Sequence, residues 1–169
     1  MSMLVTIVVS LLLSQAQPSV SSPGSCPPPQ FLLKDVEIKM YTGGGLESHE
    51  FSFSGSGQGK VVYRRFSAPA EVYAFAITDA EMLDLLNRVA KAYFFDLAEA
   101  YGHTTWFSQK VDGTVETSEI TTVGGPQTGV TVRIGACQRH SMFASAGPPE
   151  LINLASSLQD FAEARRRQP

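Results

Sequence analysis

The chain has 169 residues, 43% of them hydrophobic and 17% charged, with a formal net charge of -3 at pH 7, the size and balance of one globular domain. Sixteen acidic against thirteen basic side chains leave no cationic surplus for a phosphate backbone, so no nucleic-acid partner is expected. Two cysteines are too few for a disulfide-framework miniprotein or a four-cysteine zinc site, and low charge with high hydrophobicity excludes a disordered chain.

Residues 1–16 read as a signal peptide. Leu4 to Leu13 is apolar except for Thr6 and Ser10, the length of a secretory core and well short of the ~20 apolar residues a spanning helix needs. Ser14-Gln15-Ala16 then supplies small residues for cleavage after Ala16. Met1-Ser2-Met3 carries no Lys or Arg, and the competing reading is an uncleaved anchor. The expected location is exported, periplasmic or secreted, with any membrane tie limited to an N-terminal lipid or that anchor.

Residues 17–30 (QPSVSSPGSCPPPQ) hold five prolines, four serines and no charge, the composition of a disordered, extended tether. Cys26 sits within it and has two mutually exclusive uses. One is lipidation, although Pro23 stands where an aliphatic residue is usual. The other is a disulfide with Cys137, which in an oxidising compartment would pin the tether to the domain.

Residues 31–166 then read as a single α+β domain. Val36 to Tyr41 alternates apolar and polar, as a half-buried strand does, and Gly43-Gly44-Gly45 ends it. Phe51-Ser52-Phe53, Gly59 to Phe66 and Glu71 to Ile77 continue as strands. Thr78-Asp79-Ala80-Glu81 forms a capping box, with Ile77 stapling onto Met82. A helix from about Asp79 to Ala92 follows, its apolar face set by Met82, Leu85, Leu86, Val89 and Tyr93. Phe94 to Leu97 should turn back into the core. Val115 to Val123, Val130 to Ile134 and Gln138 to Ala144 are further strands. Gly147-Pro148-Pro149 opens a last helix with Leu151, Leu154, Leu158 and Phe161 as its stripe. Arg165-Arg166-Arg167 end it where the macrodipole favours cations. The expected architecture is a mainly antiparallel sheet of about six to seven strands with two principal helices on one face.

This layout resembles an uncharacterised bacterial family, domain of unknown function 6438. The carrying residues are Gly57 and Gly59 before Val61-Val62-Tyr63, Ile77 to Glu81, Leu85-Leu86, Ala92 to Leu97, Tyr101-Gly102, Thr128 to Ile134 and Pro149 to Leu158. The likeness spans about Phe31 to Arg165 and departs at Gly124-Gly125-Pro126-Gln127, where the family often has an Asp before Pro-Thr. It implies an exported, often membrane-tethered α+β domain and no known catalysis.

No catalytic, cofactor-binding or metal-binding residue is expected. Gly55 to Lys60 lacks the spacing, the Ser or Thr and the following helix of a phosphate loop, and reads as a hairpin turn. Cys137 and His140 fall on opposite faces of a strand. Glu116 and Glu119 do the same, and no nucleophile elbow accompanies the serines. The segment Tyr101 to Phe107 reads as an aromatic loop, with His103, Trp106 and Phe107 as candidate partner contacts. The functional expectation is a non-catalytic envelope or secreted binding module, using the open face of the sheet or that loop, with a protein or envelope component as partner. The alternatives are a small secreted hydrolase with a non-standard site near His103 or His140, and a structural module whose sheet pairs with another chain.

Overall fold

A computed structural model describes residues 26–101, 103–121, 126–144 and 147–167, with backbone alone at 103–107 and 117–121. Residues 1–16, read above as a signal peptide, and 17–25 of the stretch read as a tether lie outside the described residues. Among the described residues, nine strands and two α-helices follow in chain order: β1 (Val36–Gly44), β2 (Glu47–Ser54), β3 (Gln58–Arg65), β4 (Glu71–Ala76), α1 (Asp79–Lys91), β5 (Ala100–Tyr101), β6 (His103–Gln109), β7 (Val115–Thr121), β8 (Gln127–Ile134), β9 (Cys137–Phe143) and α2 (Pro149–Arg166). Seven strands form one sheet in the order β4-β3-β2-β1-β8-β9-β5. Every pairing is antiparallel except the two-residue β5, which runs parallel to β9. The fold is α+β, as the patterning predicts.

Alternation decides which face is buried. Val36, Ile38 and Met40 on β1 register with Phe53 and Phe51 on β2 and with Ile134, Val132 and Val130 on β8. All eight are buried under the helices, together with Met82, Leu85 and Val89 of α1 and Leu151, Leu154 and Leu158 of α2. Gly59 lies opposite Phe75, and a side chain there would run into the Phe75 ring, which covers the gap. The β2–β3 turn is a hairpin with Gly57 at φ 90°, a conformation glycine adopts without steric cost. The predicted capping box is present. The Thr78 amide donates to Glu81 Oε2 (2.8 Å) and the Glu81 amide donates to Thr78 Oγ1 (3.3 Å), while Ile77 and Met82 are both buried.

Three expectations are corrected. Tyr93 is not on the buried stripe of α1: the helix stops at Lys91, Tyr93 takes a left-handed φ of 49° and is 68% exposed. That reversal lets the following turn, Phe94–Asp96, drive Phe94 into the core. Residues 103–109 are not a loop but strand β6, paired antiparallel with β7 in a separate hairpin. The 115–121 strand therefore belongs to that hairpin and not to the main sheet, where β5 takes the seventh place.

Two of the three arginines at the end of α2 are engaged within the fold. Arg165 pairs with Glu81 of α1, while Arg166 pairs with Glu163 (2.9 Å) and stacks over Tyr63 and Tyr73. The Tyr63 hydroxyl donates to Glu163 beneath it. Partial burial, then this bond and the carboxylate's charge, push the Tyr63 phenol up to about 12. Partial burial works to raise Glu163, but Tyr63 and Arg166 outweigh it and hold the carboxyl below its ordinary value.

Candidate functional site

Both helices pack on one face of the sheet, and the other face is built from the remaining parity. Register places its side chains in rows across the strands. One row runs Lys60, Ser52, Lys39, Thr131, His140 from β3 to β9, each residue directly opposite the next. Every member carries a hydrogen-bonding or cationic group. The neighbouring row runs Val62, Glu50, Tyr41, Gly129, Met142 and is largely apolar. Between the two rows lies a groove of about 540 Å³, within the range of small-molecule sites.

The groove is concave enough that Val62 is only 6% exposed without a helix over it. Gly129 is buried at its floor, where an added Cβ would sit 3.1 Å from Cε1 of the His140 ring. Thr131 Oγ1 and His140 Nδ1 are hydrogen-bonded at 2.9 Å. Lys39 Nζ lies 2.9 Å from Glu37 Oε1, and Arg133 Nη2 lies 3.2 Å from the other oxygen of Glu37. Partial burial tends to raise the Glu37 carboxyl, yet these two cations keep it below its ordinary range. Glu50 is bridged by Arg64. Lys60 has no ion-pair partner among the described residues. Along the strands of this face, Lys39, Lys60, Arg64 and Arg133 face only Glu37 and Glu50 as carboxylates. The face is thus net positive on a chain whose formal net charge is -3.

Cys26 and Cys137 are joined as a disulfide, with Cα atoms 5.5 Å apart, inside the usual range. The bond ties the start of β9 to the segment preceding β1. It also occupies the thiol that a lipid at Cys26 or a thiol–imidazole pair with His140 would need. Cys137 and His140 do take opposite parities, with Cys137 facing Ile134 and His140 facing Thr131.

His103 and His140 are not brought together. His103 opens β6 opposite Thr121, whereas His140 lies on the main sheet. Trp106 and Phe107 are consecutive on β6, opposite Ser118 and Thr117, and so hold opposite register positions on the hairpin; their side chains lie outside the described residues. Among the described residues no carboxylate is hydrogen-bonded to His140 or Thr131, so the pair lacks the orienting third group of a nucleophile–base relay. No three His, Cys, Asp or Glu side chains converge on a common point among the described residues. No described helix is long and apolar enough to cross a membrane. The Lys60–His140 row carries no sequence signal, because it spans five strands and no local pattern aligns them. No protein-family model matches the chain, and no curated protein is a significant match.

Proposed function

We propose that the protein is an exported, non-catalytic binding module whose working surface is the open face of the seven-stranded sheet. The observation that carries this reading is the groove between the Lys60–His140 row and the Val62–Met142 row. It combines an apolar floor with a few convergent polar groups, the composition of ligand sites in general. Export is supported by the apolar segment Leu4 to Leu13, the small residues before Gln17 and the paired cysteines, which suit an oxidising compartment. The resemblance to domain of unknown function 6438 points the same way.

Two measurements test the two halves. Non-reducing mass spectrometry of protein recovered from a native host should give a chain beginning at Gln17, without lipid and two hydrogens lighter than the dithiol. An uncleaved leader or a lipid on Cys26 would refute the first half. Amide shift mapping with a chemically diverse fragment library should cluster hits on Lys39, Tyr41, Thr131 and His140. Hits confined to the β6–β7 hairpin would move the function to Trp106 and Phe107 and refute the second.

A further inference from the structure

We infer that the open-face groove takes a small organic anion bearing an apolar body, its charged head over the Lys60–Ser52–Lys39–Thr131–His140 row and its body over Val62, Tyr41 and Met142. This rests on the proposed use of the open face and adds the chemical class of the ligand.

The two rows divide the work. Neighbouring strands lie about 4.8 Å apart, so Lys60, Lys39 and His140, each two strands from the next, sit at intervals of about 10 Å. Ser52 and Thr131 fill the positions between them. An anion's oxygens can therefore accept from a lysine ammonium and an adjacent hydroxyl together, and charge-assisted bonds of this type are the stronger ones. The row has no carboxylate in it, and the carboxylates on either side are already engaged, Glu37 by Lys39 and Arg133 and Glu50 by Arg64. With the Thr131 hydroxyl donating to His140 Nδ1, the ring's Nε2–H is the donor turned to a ligand, and Ser52 supplies the hydroxyl that stays free to donate. The second row has one carboxylate on the groove, Glu50, whose charge is met by Arg64, and its other members there, Val62, Tyr41, Gly129 and Met142, carry no charge. Charge complementarity thus selects an anion over a cation, and the apolar strip selects an amphiphile over a bare ion.

The test uses the mature, disulfide-intact protein in amide shift titrations with octanoate, octyl phosphate, octanol and octyltrimethylammonium. Both anions should bind saturably, shift Lys39, Thr131 and His140, and bind at least tenfold more tightly than the other two. Raised salt should narrow that margin, because the head contacts are exposed to solvent. Replacing both lysines (Lys39→Gln, Lys60→Gln) should weaken the anions at least tenfold and leave octanol unchanged. Glu37 keeps Arg133 in that variant, so the spectrum should remain that of a folded sheet. Gly129→Val, which places a branched side chain on the floor, should weaken all probes together. Equal binding of octanol and octanoate at these residues overturns the anion assignment and leaves the open-face reading standing. Binding to anionic vesicles without binding of monomeric octanoate overturns it in favour of a membrane surface. Absence of binding by every probe overturns the inference, while the fragment mapping decides separately whether the open face binds at all.

Discussion

Replacing both cysteines (Cys26→Ser, Cys137→Ser) should lower stability substantially without altering the native sheet. The two positions are 111 residues apart, so the bond closes a loop that contains every element from β1 through β8. Chain-entropy reasoning for such a loop gives roughly 4.8 kcal/mol as an upper figure, and about 2–4 kcal/mol is the usual yield. For a domain of this size each kcal/mol moves Tm by about 3 °C, so the expected loss is about 6–12 °C. The cost falls on the unfolded state, because the buried cluster that holds the sheet to the helices includes neither cysteine. Calorimetry of oxidised protein beside the double variant reads Tm directly. Urea titration should also show a larger m-value for the variant, since its unfolded chain is less constrained. A Tm change under about 2 °C with an unchanged m-value would refute the reasoning.

Phe53 is fully buried, with the Phe161 and Phe75 rings at centroid distances of 5.8 and 6.5 Å, so Phe53→Ala should cost about 3–5 kcal/mol in denaturant titration. Tyr93→Gly should stabilise the protein by about 1 kcal/mol, because glycine takes the left-handed conformation after a helix without the Cβ penalty and Tyr93 packs little. Thr78→Ala removes the cap acceptor of α1 and should cost about 1 kcal/mol, measured the same way. The Tyr63–Glu163 contact gives two pH limits. The Tyr63 phenol is raised, so its contribution is whole below the unfolded value near 10 and is lost as pH rises through about 12. The Glu163 carboxyl is lowered, so its contribution is whole above the unfolded value near 4.3 and is lost as pH falls through the folded one. Tyr63→Phe should remove the highest phenolic step from an absorbance titration, and persistence of that step would count against the assignment.

The elements that could be read directly are those whose signal is local. Alternation in Val36 to Tyr41 named the buried face of β1, and the Thr78–Glu81 spacing named both the start of α1 and its cap. The β6–β7 hairpin also has a local signal. Asp112-Gly113 is a hairpin dipeptide, with Gly113 at φ 85° and Asp112 Oδ1 accepting from Thr114, and β-branched and aromatic residues flank it. Tyr93 misled because helical spacing continues through it, while the burial of Phe94 requires the chain to reverse there. β5 could not be read at all, since two residues carry no periodicity and pair with β9 only after the sheet is assembled. The candidate groove is of the same kind: Lys60 and His140, at the two ends of one row, come to share it only through the pairing of β1 with β8.

That pairing also sets an order of events during folding. β1 through β4 and α1 are consecutive and can assemble from local contacts, but the second edge of β1 waits for β8, roughly 90 residues later. This edge stays unpaired until β8 reaches it. An exposed edge carrying Val36, Ile38 and Met40 is a template for association with other chains. Glu37 and Lys39 interrupt that run at alternate positions, where charge discourages edge-to-edge pairing. The residues that line the open face of the finished sheet thus also protect its unfinished edge.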